Sequence, residues 1–149
     1  GGDTQFANMY LAYDALSDQT KQVVNKLTVI QSSAKPRVAK GRSEKVQIGA
    51  RAGDIELTAE HPVVRIHPVT GKRALYVNPA HSVRFKTMTS VESGPLLNFL
   101  FQHQINPAFT VSYRWKKGAM VLWDNRCVQH HPLNDYHGYK RVMHRITIA

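Results

Sequence analysis

The sequence predicts a mainly β protein with packed helices, an α+β chain whose strands build an antiparallel sheet or a barrel of the jelly-roll type. Three observations lead there: short β-rich runs punctuated by turn residues, two or three amphipathic helical stretches, and an element order without the βαβ alternation of a parallel sheet. At 149 residues, with 42% hydrophobic and 20% charged, the chain has the length and balance of one globular domain, and no run approaches a membrane-spanning helix.

From Phe6 to Leu16, the residues Phe6, Met9, Tyr10, Tyr13 and Leu16 recur at three- and four-residue steps, the period of an amphipathic helix that Asp3 or Thr4 would cap. Ser17-Asp18 opens a second helical stretch with Val23, Val24 and Leu27 on one face, and Leu27 to Ile30 then reads as a strand. Residues 33–60 are expected to form a mobile loop over the site, basic through Lys35, Arg37, Lys40, Arg42, Lys45 and Arg51 and poor in large apolar residues. Pro62–Ile66 and Ala74–Val77 flank the turn-forming Pro68–Lys72 and predict an antiparallel hairpin. Ser90 is expected to cap a helix to His103, and Phe109–Trp115, Ala119–Trp123 and Arg141–Ile148 read as strands. These segments supply only part of a barrel, and a half-built sheet leaves unpaired edges, so the chain is expected to be a partial, N-terminally truncated domain over 1–149.

Two bulk features bear on function. The formal net charge of +10 suits nucleic acid, an anionic surface or small anionic ligands. Between Ala34 and Glu60 there is no Phe, Tyr or Trp for bases to stack on, which weighs against a nucleic-acid module and leaves it as the rival from another class. The single cysteine, Cys127, excludes an internal disulfide and suits a reducing cytoplasm, where the chain is placed, and Gly1–Thr4 lack the features of a signal peptide.

The chemistry-bearing stretch runs from Trp123-Asp124-Asn125-Arg126-Cys127 through His130-His131 to Arg141–Ile148. On a strand, Arg141, Met143, Arg145 and Thr147 would share one face and Val142, His144, Ile146 and Ile148 the other. The two arginines would line either solvent or a polar cavity; in a cavity, each guanidinium would grip a carboxylate or sulfonate through paired charge-assisted hydrogen bonds. His130 and His131 are potential ligands for Fe, Zn, Cu or Ni, although a neighbouring pair among 8 histidines is weak evidence by itself. No zinc motif is present, and Cys127 reads as an inert buried thiol.

Taken together, Gly1-Gly2-Asp3-Thr4, His61-Pro62-Val63-Val64-Arg65 with His67-Pro68 and Gly71-Lys72, Tyr76-Val77-Asn78, and the Trp123-to-Arg145 stretch resemble the taurine dioxygenase family along nearly the whole chain. The resemblance implies a double-stranded β-helix, or jelly roll, binding Fe(II) through a His-x-Asp/Glu pair and a distal histidine and using 2-oxoglutarate and O₂. It makes His130 the distal ligand, with His131 as the fallback. Arg141 and the hydroxyl of Thr4 would hold the far carboxylate of 2-oxoglutarate; Arg145 would meet a small anionic substrate, with His81 at a position that is aromatic in taurine-cleaving relatives. Trp123, Asp124 and Asn125 would fix the loop that bears His130. The substrate is then a sulfonate, alkyl sulfate or carboxylate other than taurine, and the full-length protein is expected to form homo-oligomers without membrane association. One departure stands out: no His-x-Asp or His-x-Glu occurs in the 149 residues. The 149-residue chain alone is therefore expected to be inactive, with a catalytically silent jelly roll as the alternative.

Overall fold

The computed structural model describes residues 1–33 and 57–148. Its elements are β1 (Thr4–Asn8), α1 (Met9–Asp14), α2 (Asp18–Val24), β2 (Thr28–Ser32), β3 (Thr58–Pro62), β4 (Val64–Ile66), β5 (Arg73–Leu75), β6 (Ser82–Phe85), α3 (Ser90–His103), a 3₁₀ turn (Pro107–Phe109), β7 (Thr110–Tyr113) and β8 (Val128–Pro132). They assemble into two three-stranded antiparallel sheets, ordered β7-β1-β8 and β3-β2-β6, and the hairpin β4-β5. Strands and helices are thus combined as the sequence predicts. No helix among the described residues is long and apolar enough to cross a membrane.

The first helix begins later than its periodicity suggests. Phe6 lies in β1, which is paired on both sides, and two ladders of backbone hydrogen bonds outweigh a weak helical preference over 4–8. Asn8, not Asp3 or Thr4, is the cap: its Oδ1 accepts the Tyr10 and Leu11 N–H groups at 3.0 and 3.3 Å. Met9, Ala12, Tyr13 and Leu16 then turn one face inward. In α2 the Ser17 hydroxyl accepts from the Thr20 N–H; Val24 is buried but Val23 stays exposed. The cap of α3 is Thr89 rather than Ser90, because Glu92 closes a capping box by accepting the Thr89 N–H at 2.7 Å.

The core gathers Met9, Val24, Val29, Val63, Leu75, Val77, Phe85 and Leu100, all essentially inaccessible, between the helices and the strands. The short runs 82–85 and 128–132, which carry a weak β signal, gain their strand form from pairing with β2 and β1. Conversely, residues 119–123 and 141–148 are expected as strands yet have no ladder partner among the described residues, and Val142, Ile146 and Ile148 are 63%, 88% and 79% exposed. Alternation can specify a strand only where an edge is present to pair with it. The basic run lies within 34–56, outside the described residues. The chain on either side of it continues the β2–β3 ladder: the Ser33 N–H donates to the Leu57 carbonyl and the Leu57 N–H to Ser33 Oγ, both at 3.0 Å, and residues 58–60 belong to β3.

Candidate active site

One face of the sheet β7-β1-β8 collects the chemistry. Directly opposed residues of an antiparallel pair share a face, and Thr4 stands opposite Tyr113 and Pro132 while Phe6 stands opposite Val111 and His130. Thr4, Phe6, Tyr113 and His130 therefore lie side by side. His131 pairs with Gln5 on the other face, where the neighbouring Gln129 is fastened by its Nε2 to the Val77 carbonyl at 2.6 Å and to Gln104 Oε1 at 3.2 Å. Strand alternation separates the two histidines that the sequence left as alternatives: only His130 shares a face with Thr4.

The His130 ring is packed by aromatic neighbours while its edge reaches solvent. Its centroid lies 4.9 Å from that of Trp123 and 6.5 Å from that of Phe6, and Phe6 and Trp123 are 5.3 Å apart. Desolvation by these rings lowers the pKa of His130, and the nearby positive charge of Arg145 and then His131 push it the same way. Held neutral, an imidazole keeps a lone pair free for a metal. Arg145 is thus within electrostatic reach of His130. Arg141 sits at the start of β1: a Cβ on Gly2 would come within 2.9 Å of the Arg141 Cδ and Nε, and Gly2 itself has φ +82°. The Arg141 guanidinium lies over the Tyr136 ring at 5.5 Å, and the Gly2 N–H donates to the Asp135 carboxylate, which lowers the pKa of Asp135. Thr4 is buried, and its Oγ1 accepts from Trp115 Nε1 at 2.9 Å.

The turn before β8 is fastened by Asp124. Its carboxylate accepts from the Arg126 backbone N–H at 2.8 Å, from the Arg126 guanidinium, and from His67 Nε2 at 3.0 Å, and its pKa is held far below the usual carboxylate range by Arg126 first and His67 second. His67 Nδ1 accepts the Val69 and Thr70 N–H groups at 3.3 and 3.2 Å, so the ring proton belongs on Nε2 and is donated to Asp124. This buried histidine joins the β4–β5 turn to the turn that launches β8. Trp123 Nε1 donates to Asn125 Oδ1 at 2.9 Å within the same turn.

Among the described residues, His67, Asp124 and Cys127 are the one group of three ligand-type side chains whose donor atoms lie within 4.8 Å of one another. Both nitrogens of His67 and both oxygens of Asp124 are already committed to hydrogen bonds, so this cluster is a clamp rather than a metal centre. His81 belongs with the other sheet. It follows the turn into β6, in the other sheet, and its Nδ1 pairs with the Ser32 carbonyl at 3.2 Å. Sequence reasoning assigned no site role to Phe6, Trp115, His67 or Gly2, although Gly2 and His67 lie in the motifs that carry the family resemblance. The period-2 pattern of Thr4 and Phe6 was the available signal for the first, and it was hidden by the helical spacing that Phe6 also satisfies.

The sequence and the fold are similar to those of known proteins. The family model described as taurine catabolism dioxygenase TauD, TfdA family, matches residues 1–147. The chain belongs to the TauD/TfdA family. It is similar to an alpha-ketoglutarate-dependent sulfate ester dioxygenase of Pseudomonas putida, 35% identical over 100% of this chain and 50% of that protein. An alkylsulfatase of Acinetobacter baylyi is 35% identical over 100% of this chain and 48% of its own length. Among solved structures, a taurine dioxygenase from Burkholderia xenovorans matches with a TM-score of 0.74 and 35% identity, covering 91% of this chain and 43% of that one. AAD-2 in complex with Mn(II) and N-oxalylglycine matches with a TM-score of 0.70 and 30% identity, covering 89% and 51%. The chain thus spans about half the length of the curated TauD/TfdA relatives it matches.

Proposed function

We propose that this chain contributes the distal-histidine and anion-binding part of a jelly-roll Fe(II)- and 2-oxoglutarate-dependent dioxygenase acting on a small sulfate ester, sulfonate or carboxylate. The observation that carries the reading is the cross-strand placement of His130 and Thr4 on one sheet face, with Arg145 in reach of His130 and Arg141 against Gly2. The names of the relatives support the substrate class, since they act on sulfate esters, sulfonates and 2,4-dichlorophenoxyacetate.

The residues fit one part of an iron site. His130 has its pKa lowered by burial, reaches solvent at its edge and is braced by Phe6 and Trp123, as suits a ligand. No His-x-Asp or His-x-Glu occurs in this sequence, so these 149 residues offer the distal histidine of the family site and not its His-x-Asp/Glu pair. Iron, when bound, supplies the activation of O₂ that is coupled to decarboxylation of 2-oxoglutarate to succinate and CO₂. The protein's part is to hold two anions in register. Arg141 presents a planar fork to a carboxylate, Thr4 adds a hydroxyl, and Arg145 neutralises the anionic group of the substrate. Phe6 and Trp123 brace the histidine ring and leave its edge open to solvent.

Succinate formation tests this reading. The 149-residue chain with Fe(II), 2-oxoglutarate and an alkyl sulfate should form none. Co-expressed with the half of the Pseudomonas putida relative that this chain does not cover, it should form succinate, and Arg145→Ala should abolish the dependence on the anionic substrate. Complex formation without any succinate would instead favour a catalytically silent domain.

A further inference from the structure

Trp115 occupies a position that the proposed site does not yet use. It follows β7 by two residues, stacks edge-on to Tyr113 with centroids 5.0 Å apart, and donates its indole N–H to Thr4 Oγ1 at 2.9 Å across 111 residues of sequence. Thr4 is only 5% exposed, so this bond is a fixed feature of its surroundings. A threonine hydroxyl has one proton and two acceptor sites, and an indole N–H can only donate. The geometry points to Trp115 as a positioning residue that sets the polarity of Thr4: with an acceptor site of Oγ1 filled, the hydroxyl proton is turned away from the indole and offered to the anion held by Arg141. The inference rests on the proposed role of Thr4 and Arg141 at the 2-oxoglutarate carboxylate, and it specifies which kind of group Thr4 will bind. That group is an acceptor such as a carboxylate.

The pairing also makes the site polarisable. When Thr4 donates to an anion, its oxygen becomes a better acceptor and the bond from Trp115 strengthens, as in any hydrogen-bond chain. The chain has two tryptophans, and the indole of the other, Trp123, donates to Asn125 instead, which provides an internal control.

The test is a titration of ¹⁵N-labelled protein with glutarate, which carries the far carboxylate of 2-oxoglutarate and needs no metal. The indole N–H resonance of Trp115, assigned with Trp115→Phe, is expected to move downfield in step with the Arg141 Nε–H resonance, while that of Trp123 stays in place. Thr4→Val should abolish the Trp115 shift, and Thr4→Ser should restore it. Trp115→Phe should weaken glutarate roughly three- to tenfold, the worth of one net hydrogen bond. If the Arg141 resonance responds but Trp115 does not, the positioning role is wrong and the anion site stands. If neither responds, the anion site and the positioning role both fall. Should Trp115→Phe fail to fold, the Thr4→Val and Thr4→Ser pair decides the question by the same readout.

Discussion

Replacing Asp124 with alanine should destabilise the fold chiefly through a residue 57 positions away. The carboxylate is partly exposed, so its pairing with the exposed Arg126 side chain contributes little, as surface ion pairs do. His67 is different. Its side chain is 5% exposed and its Nδ1 is already an acceptor for two backbone N–H groups, so loss of Asp124 leaves the Nε2 proton buried without a partner. An orphaned buried donor costs about 1–3 kcal/mol. For a chain of this size, ~2 kcal/mol corresponds to a fall in Tm of roughly 4–8 °C. Asp124→Asn keeps an amide oxygen for His67 and should cost about half as much. Thermal unfolding followed by circular dichroism, with His67→Ala and the double mutant completing a cycle, should give a coupling of ~1 kcal/mol or more, because the second substitution removes the group that the first one orphaned. A cycle that closes additively within about 0.3 kcal/mol would refute the clamp.

Three further outcomes follow from the same geometry. Gly2→Ala meets both a left-handed φ, which costs about 1–2 kcal/mol, and the Arg141 Cδ and Nε at 2.9 Å. It should lower glutarate affinity roughly tenfold or more, as expected for a lost charge-assisted bond; unchanged affinity by NMR titration would contradict the placement of Arg141. The pKa of His130 is depressed, so its proton is bound more weakly in the folded than in the unfolded state. Stability and metal binding at His130 should therefore decline as pH falls below the ordinary histidine value of about 6.5, and a midpoint above that value in a ¹H–¹³C titration would reverse the sign. Phe6→Ala removes a ring that packs against both Trp123 and His130, and should cost about 1–2 kcal/mol and broaden the His130 resonances.

What the sequence disclosed depended on whether a signal was local. The helix 90–103 was legible because its apolar period and its capping residues lie within the segment itself. Its cap was misplaced by one residue because Thr89 and Ser90 are equally good caps until Glu92 chooses between them. Phe6 satisfied both a helical and a strand pattern, and pairing with β7 and β8 decided it. The alternation at 142–148 was legible too, but it names a face and not a partner, and those side chains stand exposed in this structure. For the candidate site, motif order suggested His130, Arg141 and Arg145. Only the register of β1 with β8 separated His130 from His131, and only three-dimensional contact revealed Trp115 at Thr4 and His67 at Asp124. His81, suggested by resemblance, makes its contact with Ser32 in the other sheet.

The proposed metal side of this chain is the sheet face bearing Thr4, Phe6 and His130. Titrating Mn(II) in the presence of N-oxalylglycine into ¹⁵N- and ¹³C-labelled protein maps that face directly, since a paramagnetic ion broadens only nearby nuclei. Thr4, Phe6, Trp123, His130 and Arg145 should broaden first, and His67, His81 and His103 should stay sharp. Broadening centred on His67, Asp124 and Cys127, or on His131 and Gln5, would place the metal elsewhere and contradict the account.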